Sequence, residues 1–134
     1  MSFRVHAVGR DGIQRGYTVD LEREGPRWIY RVPCSKKLDW FEAVFLEVGG
    51  GWIQVVMLKY NCGEEHSAKG IPEALFARVV ADSGLRLRSS RTDDEHGYRT
   101  GSANKVWKRL EARGLAREDK ADDRYIFLGD GRSP

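Results

Sequence analysis

Hydrophobic and polar positions alternate along the first half of the chain, which is the period of half-buried β-strands. Segment 3–9, FRVHAVG, alternates clearly. Segments 17–24 and 27–34 flank a Gly-Pro turn signal, so they predict a hairpin. Three glycines at positions 49–51 separate two further apolar runs and predict a second hairpin. The first half is therefore predicted to be a run of antiparallel strands.

The hydrophobic period becomes helical in the second half. In segment 71–84, apolar residues recur four positions apart, with a proline near the start and a glycine at the end, as in a capped helix. Segment 85–90, LRLRSS, alternates again and predicts a strand. A second helix is predicted with Ser102 as its N-cap and Gly114 as its C-terminal stop. Its predicted core face consists of Ala103, Val106, Trp107 and Leu110. Segment 123–128, DRYIFL, predicts a last strand.

The predicted order is four or five strands, a helix, a strand, a second helix and a last strand. The strand–helix–strand passage from Trp52 to Ser89 would be a right-handed crossover, which makes its two strands parallel. The sequence thus predicts an α+β fold with a mixed, mainly antiparallel sheet of six or seven strands and two principal helices. It also predicts a single domain over residues 1–128 and a flexible tail at 129–134.

Composition and charge narrow the partners only slightly. The net charge of +3 over 134 residues permits contact with an anion but does not by itself indicate a nucleic-acid binder. The first residues lack the apolar core of a secretory signal, and no apolar run could span a bilayer, so a cytoplasmic protein without membrane contact is predicted. Cys34 and Cys62 are accordingly predicted to be reduced thiols. Their spacing relative to His66 gives no paired metal ligands, so no metal site is expected.

The end of the chain, residues 102–128, has the order of a winged-helix DNA-binding domain: helix, charged turn and strand. The exposed face of the predicted helix carries four basic residues, namely Lys105, Lys108, Arg109 and Arg113. Such a face could contact phosphates. A helix-turn-helix, however, needs another helix shortly before the recognition helix, and segment 85–101 is part strand and part loop. A solvated helix face is therefore the favoured interpretation, and DNA binding remains an alternative.

Four stretches of the second half suggest a family. They are, in order, WIQVVMLKYN, SAKGIPEALFARVVADSG, LRLRSS and ANKVWKRLEARGLA…RYIFL. In this order, the chain from Trp52 to Leu128 resembles the GCN5-related N-acetyltransferase (GNAT) family. The family turn reads Gln/Arg-x-x-Gly-x-Gly/Ala, and this chain reads SAKGIP there, so only Gly70 matches. The resemblance implies a GNAT-like fold that lacks the family's usual first helices.

The resemblance also implies a cofactor, acetyl-CoA or another acyl-CoA, whose pyrophosphate would meet the N-terminus of the first helix. The contacting residues implied are Lys69, Gly70 and Ile71. Pro72 removes one N–H donor from this turn, and Lys69 could compensate with its charge. Leu110 stands where the family often has a tyrosine as general acid.

Further candidate cofactor residues follow from the predicted topology. Ligands tend to bind at the carboxyl ends of strands in a sheet with a crossover. The residues at the end of the predicted strand 85–90, and just beyond it, are Ser89, Ser90 and Arg91.

Candidate catalytic residues lie in the loop before the first helix, at Glu64, Glu65 and His66. A carboxylate or imidazole there could deprotonate an amine acceptor. The alternative is a solvated loop.

Trp40 and Trp52 fall on early strands, where aromatic residues usually belong to the core. On an exposed face they would instead anchor a protein partner.

The family resemblance implies an acyl-CoA-dependent N-acyltransferase-like protein, with catalysis retained, weakened or lost. The alternatives are a non-catalytic protein-binding module or inhibitor, and a DNA-binding protein of winged-helix type.

Overall fold

The computed structural model describes residues 1–35, 39–62, 65–66, 68–93 and 99–129. Its eight strands are β1 (Ser2–Val8), β2 (Gln14–Glu24), β3 (Arg27–Pro33), β4 (Trp40–Gly49), β5 (Trp52–Tyr60), β6 (Arg86–Ser89), β7 (Ala116–Asp119) and β8 (Arg124–Phe127). Its two helices are α1 (Ile71–Ser83), between β5 and β6, and α2 (Gly101–Ala112), between β6 and β7. Among the described residues, no helix is long and apolar enough to cross a membrane.

The expected α+β class, with a GNAT-like sheet of six or seven strands, is wrong. The described residues form one mixed sheet of eight strands in the order β1-β2-β3-β4-β5-β6-β8-β7, which curls into a half-barrel and carries only two helices. The strand that the sequence missed is β7, which pairs with β8 as a hairpin. Its residues, ARED, are mostly charged and too few to show a period. Apart from Gly129, the predicted tail lies outside the described residues.

The predicted hairpins of the first half are confirmed, because β1 to β5 are antiparallel neighbours in chain order. The turn between β4 and β5 needs a glycine at each of three successive positions. Gly49, Gly50 and Gly51 have φ values of 87°, 65° and 80°, in the left-handed region that side chains rarely adopt.

The predicted parallel pairing of the strands on either side of the first helix is also confirmed, since β5 and β6 are parallel and α1 connects them. α1 has Pro72 in its first turn and ends at Gly84, whose φ is 70° and whose N–H donates to the carbonyl of Val80. The sequence signals for the start and end of this helix therefore work as expected.

α2 begins slightly earlier than predicted. Its N-cap is Thr100 rather than Ser102, and the Thr100 hydroxyl oxygen accepts a hydrogen bond from the N–H of Ala103 at 3.1 Å. Both residues are good N-caps by type, so only the backbone decides between them. The predicted core face is confirmed, and its buried residues are Ala103, Val106, Trp107 and Leu110.

The core lies between the two helices and one face of the sheet. Phe76 of α1 contacts the rings of Phe45 on β4, Trp107 on α2 and Phe127 on β8. Because the sheet curls, α1 contacts both β1 and β6, which are far apart in strand order. One helix therefore holds together strands from both halves of the chain.

Cys34 and Cys62 form a disulfide, with their Cα atoms 5.7 Å apart, so the prediction of reduced thiols is wrong. β3 and β5 flank β4 and run in the same direction. Their final residues therefore lie on either side of the first residues of β4. Cys34 follows β3 and Cys62 follows β5, so the two sulfur atoms come together just beyond the ends of these strands. No local sequence signal reports this meeting.

Candidate functional site

A cavity opens where β5 and β6 stop pairing. The two parallel strands pair from Trp52 opposite Arg86 to Val55 opposite Ser89. Beyond that point β5 continues to Tyr60, while β6 ends. The cavity there has a volume of about 260 Å³, and we call it the strand cleft. It is lined by Val55, Val56, Met57, Leu58, Ser90, Arg99, Thr100, Ala103 and Trp107.

A β-bulge explains why the strands part at this point. Val44 of β4 pairs with Met57, and the next residue, Phe45, pairs with Val55. Val56 is therefore an extra residue on β5. A bulge bends its strand and redirects side chains, and this one lies at the point where β5 leaves β6. The strand cleft is thus a consequence of the backbone geometry of β5.

The polar wall of the strand cleft is formed by Ser90 and Arg99. The Ser90 hydroxyl donates to the carbonyl of Val55 at 2.6 Å. Arg99 donates to the carbonyls of Ser90 at 2.9 Å and Asp123 at 3.2 Å, and its Nε donates to Asn104 at 3.1 Å. The Arg99 side chain is only 6% exposed. These bonds connect the end of β6 to the start of α2 and to the turn between β7 and β8.

Asp123 anchors the segment after β6 to that same turn. Its carboxylate accepts hydrogen bonds from the hydroxyl and the N–H of Thr92, at 2.6 and 2.9 Å, and pairs with Arg99 at 3.4 Å. The bonds from Thr92, with the nearby Arg99 charge, hold the pKa of Asp123 below its usual value. Arg91 pairs with the neighbouring Asp122. Hydrogen bonds and ion pairs to Asp122 and Asp123 therefore hold the polar wall of the strand cleft in place.

The remaining wall of the strand cleft is apolar. Trp107 is fully buried and stacks on Tyr125, with ring centroids 5.9 Å apart. Its indole Nε1 has no hydrogen-bond partner among the described residues. Met57, which also lines the strand cleft, is 37% exposed. Such a site suits an extended, largely apolar ligand that carries a few hydrogen-bonding groups.

A second cavity, of about 210 Å³, lies at the start of α1, and we call it the arginine pocket. It is lined by Val8, Gly9, Arg10, Ala68, Gly70, Glu73, Arg109 and Arg113. Its three arginines outnumber its one carboxylate, although Arg109 pairs with Glu73 at 3.1 Å. Gly70 is required here, because its φ is 78° and a Cβ atom would lie 2.2 Å from the carbonyl oxygen of Val8.

Two of the six residues predicted to bind a cofactor line the strand cleft or the arginine pocket. Gly70 lines the arginine pocket and Ser90 lines the strand cleft. Ile71 is fully buried in the first turn of α1, and the Ser89 hydroxyl oxygen accepts from the N–H of Tyr125 at 2.8 Å. Lys69 precedes Gly70, and Arg91 pairs with a carboxylate as described above.

Of the predicted catalytic residues, the two that the structure describes, Glu65 and His66, do not line the strand cleft. Glu64 lies outside the described residues. Glu65 accepts from the N–H and hydroxyl of Ser35 at 2.8 and 2.7 Å. His66 is buried, with Nε2 lying 2.9 Å from the carbonyl oxygen of Pro33, so Nε2 carries the proton and donates. In the structure, both described residues connect the segments on either side of the disulfide.

Trp40 and Trp52 alternate with core residues and are partly exposed, so they lie on the sheet face away from the helices. The guanidinium groups of Arg86 and Arg88 lie 4.2 and 5.4 Å from the centroid of the Trp52 ring. This places positive charge beside an accessible aromatic surface.

The basic face of α2 differs from a DNA-recognition helix. Among the described elements, β6 precedes α2, and no helix of a helix-turn-helix stands there. Arg109 pairs with Glu73, and Lys108 lies 3.8 Å from Glu118. The charges on this face are therefore partly neutralised within the protein.

Sequence reasoning missed most of the strand cleft. It assigned Ala103 and Trp107 to the core and did not consider Arg99 or Thr100. Segment 55–58 was read as ordinary strand. A possible signal was the parallel crossover itself, because strands joined in this way can diverge at their carboxyl ends.

No known family model, no curated protein and no solved structure matches this chain. Within the described ranges, no three His, Cys, Asp or Glu side chains group closely enough to hold a metal ion. The candidate function therefore depends on the shape, polarity and charge of the two cavities.

Proposed function

We propose that this protein binds an acyl-coenzyme A, with the pantetheine arm in the strand cleft. The observation that carries the proposal is the end of the β5–β6 pairing at Val55 and Ser89, with a cavity beyond it. β5 continues past that point with no strand beside it on this side among the described elements. An extended ligand with amide groups can hydrogen-bond to such an open strand edge.

The charge of the arginine pocket supports a ligand that carries phosphates. Arg10, Arg109 and Arg113 line it, and Lys69 and Ile71 stand at the start of α1 beside Gly70. Guanidinium groups and the positive end of a helix both favour phosphate oxygens. Both cavities border α2, with Trp107 at one and Arg113 at the other. One ligand would place its apolar arm in the strand cleft and its diphosphate toward the arginines.

The reaction consistent with this ligand is acyl transfer to an amine. The amine nitrogen attacks the thioester carbonyl carbon, the C–N bond forms, the C–S bond breaks, and the leaving thiolate takes up the proton that the amine nitrogen loses. Glu65 and His66 hold the segments near the disulfide and do not line the strand cleft. The proposal is therefore carried by ligand binding, and acyl transfer is its chemical consequence where an amine gains access.

Thermal melting with acetyl-CoA tests the proposal. Ligand at one hundred times its dissociation constant should stabilise the fold by about 2.7 kcal/mol. Ala103→Leu should remove this shift by filling the strand cleft, because Ala103 lines it and is buried. Ala112→Leu is the matched control, since Ala112 is exposed on the same helix. Absence of a shift at millimolar acetyl-CoA, or an unchanged shift in Ala103→Leu, would contradict the proposal.

The role of the arginine pocket can be tested separately with a shorter ligand. Arg113→Ala should weaken binding of acetyl-CoA but leave binding of S-acetylpantetheine, which has no diphosphate, unchanged. Arg113 lines the pocket and is exposed, so its removal should not disturb the core. Unchanged binding of acetyl-CoA, or equal weakening of both ligands, would mean that Arg113 does not contact the diphosphate.

A second candidate function is binding of an acidic protein segment on the open sheet face. The two guanidinium groups beside Trp52 favour this function, because aromatic and arginine side chains anchor interfaces. A glutamate-rich peptide should bind, and Arg86→Ser should weaken that binding while leaving acetyl-CoA binding intact. If the peptide does not bind at low salt, this candidate is removed.

A further inference from the structure

β1 is the first strand in the order of the sheet, so one of its edges has no strand beside it among the described elements. Its pairing with β2 shows which residues lie at that edge. The amino group of Met1 donates to the carbonyl of Leu21 at 3.3 Å, and the N–H of Leu21 donates to the carbonyl of Met1 at 2.8 Å. Such exchanging pairs recur at every second residue of an antiparallel ladder. The main-chain groups of Ser2, Arg4 and His6 therefore point away from β2.

This edge of β1 is open over a defined length. Ser2, Arg4 and His6 are all exposed, and within the described ranges no main-chain bond outside the ladder involves them. The next carbonyl on that side belongs to Val8, and Gly70 at the start of α1 lies against it. The open edge therefore runs from Ser2 to His6, and unpaired N–H and carbonyl groups in such a row can pair with another strand.

An apolar cavity of about 200 Å³ adjoins the same end of β1, and we call it the edge groove. Its lining includes His6, Ala7 and Val8 of β1. The apolar residues that other elements contribute to it are Ala74, Ala77, Leu110, Leu115 and Phe127. Ala7 is buried, and it lies on the core-facing side of β1 with Val5. Because neighbouring strands present side chains at the same level to the same face, a strand added beside β1 would direct one side chain into this groove.

The edge also carries positive charge that the protein does not neutralise. Arg4 is exposed on the face opposite to Ala7, where its Nη1 donates to the hydroxyl of Thr18 at 3.2 Å. Arg113 is exposed in the lining of the edge groove. Within the described ranges, neither arginine pairs with a carboxylate. Glu73 is the one carboxylate in the lining, and it pairs with Arg109 at 3.1 Å. An acidic partner complements this charge.

We propose that the open edge of β1 binds an extended segment of a partner protein as an added strand. An apolar side chain of the segment enters the edge groove at the level of Ala7, and a carboxylate lies beside Arg4 on the other face. Successive side chains of a strand point to opposite faces, so these two positions are three residues apart. The segment that fits is one in which acidic and apolar residues alternate. This interaction does not depend on binding of acyl-coenzyme A.

A second copy of this chain fits the edge less well. Antiparallel pairing of two copies over Ser2 to His6 would be centred on Arg4, and it would place the two Arg4 side chains opposite one another. Like charges directly opposite each other destabilise a strand pair. The charge of the edge therefore favours an acidic partner over self-association.

Peptide binding to the full chain tests the proposal by calorimetric titration at low salt. The first peptide has about seven residues, alternates glutamate and valine, and is long enough to span Ser2 to His6. The second has the same composition, with its valines grouped at one end. The alternating peptide should bind at least about tenfold more tightly, because only its valines all lie on one face and one of them is buried in the edge groove. Equal affinities would overturn the proposal.

Two pairs of variants locate the binding site. Ala77→Leu should weaken binding about tenfold by filling the edge groove, whereas Ala81→Leu, exposed on the same helix outside the groove, should not. Arg4→Glu should weaken binding about fivefold, whereas Arg117→Glu, exposed on β7 at the other end of the sheet, should not. An effect of Arg117→Glu equal to that of Arg4→Glu, or equal effects of the two alanine variants, would overturn the assignment to β1.

Two N-methylated forms of the alternating peptide distinguish an added strand from contact through side chains alone. One form carries methyl groups on the main-chain nitrogens of its odd residues, and the other on those of its even residues. In an added strand only one of these sets faces β1. One peptide should therefore lose binding and the other should keep it. The same result for both peptides would overturn the proposal.

The other possible occupants of the edge give different results. Sedimentation of the free chain should show a monomer at the concentrations used for titration. A dimer that the alternating peptide dissociates would identify a second copy as the occupant. Tighter peptide binding after removal of residues 130–134, which follow Gly129 in the lining of the edge groove, would identify the chain's own end as the occupant. Either result would overturn the proposal.

Discussion

The two halves of the sheet differ in how completely their strands pair. In the first half, β3 and β4 pair from Arg27 opposite Leu46 to Pro33 opposite Trp40, over the full length of β3. In the second half, β6 and β8 are joined at a single pair, Arg88 opposite Ile126. The strand cleft lies in the half with shorter pairing. A binding cavity in a sheet needs free strand edge, and free edge is available only where the ladder is interrupted.

The two halves of the sheet use different interactions to hold the segments that lie outside the strand pairing. In the first half, the disulfide and the Ser35–Glu65 bonds join the segments after β3 and β5. In the second half, side chains such as Arg99 and Asp123 connect β6, α2 and the β7–β8 turn. The first half therefore relies on a covalent link, and the second half relies on buried and charged hydrogen bonds.

Loss of the Cys34–Cys62 disulfide should have the largest effect on stability. Reduction by a dithiol, or the double variant Cys34→Ser/Cys62→Ser, should lower the free energy of unfolding by about 3 kcal/mol, because the disulfide closes a loop with a sequence separation of 28. Urea unfolding with and without the dithiol measures this. The double variant should not respond to the dithiol. If the reduced wild type is as stable as the oxidised protein, the link does not hold the first half together.

The next largest expected effect is a loss of stability on substitution of Gly70, where β1 of the first half contacts the start of α1. Gly70→Ala should cost about 2 kcal/mol, because a left-handed residue gains a Cβ that would collide with the Val8 carbonyl. Gly84→Ala is the matched control with φ of 70° and open space around it, and it should cost only about 1 kcal/mol. Equal losses in the two variants, measured by urea unfolding, would mean that β1 does not press on the start of α1.

Tyr30 links a first-half strand to the end of α1. Its hydroxyl donates to Asp82 at 2.8 Å, and burial, followed by this bond, raises its pKa. Tyr30→Phe should lower the free energy of unfolding by about 1 kcal/mol, because one hydrogen bond is lost and the ring packing is kept. Tyr17→Phe serves as a control for loss of a hydroxyl, and it should have a smaller effect. Equal losses would remove the special role of the Tyr30–Asp82 bond.

The smallest expected effect on stability is that of Asp123, which holds the polar wall of the strand cleft. The pKa of Asp123 is lowered in the fold, so its contribution to stability is complete above about pH 3.8 and is lost as the pH falls through the lowered value. Asp123→Asn should reduce this loss of stability at acid pH and should cost less than about 1 kcal/mol near neutrality. Asp93→Asn is the control on the same segment. If the two variants show the same acid unfolding profile, Asp123 does not brace the segment.

Much of the fold could be predicted because its signals are local. Alternating residues marked β1, and segments on either side of two turn signals marked β2 to β5. The glycines at 49–51 marked the turn that needs positive φ, and Pro72 and Gly84 marked the limits of α1. The N-cap of α2 was placed two residues late because Thr100 and Ser102 are chemically similar caps. β7 was missed because its charged residues are held by pairing with β8, which no local pattern reports.

The candidate site was predictable only in part. Ser90 and Gly70 were chosen from strand ends and a family-like turn, and each lines one of the two cavities. Glu65 and His66 were read as catalytic from residue type, but their partners are Ser35 and the Pro33 carbonyl. Residue type indicates what chemistry a side chain can perform, and neighbours distant in sequence decide whether it is available.

The sequence by itself determined the elements of this protein: where strands alternate, where glycine permits a turn, and where helices begin and end. These depend on interactions among residues a few positions apart. The tertiary structure alone decided the eight-stranded curl, the Cys34–Cys62 link and the cleft beside Val56. Those features depend on strand register and on the approach of distant segments, whose free energy is set by the whole packed chain rather than by any local pattern.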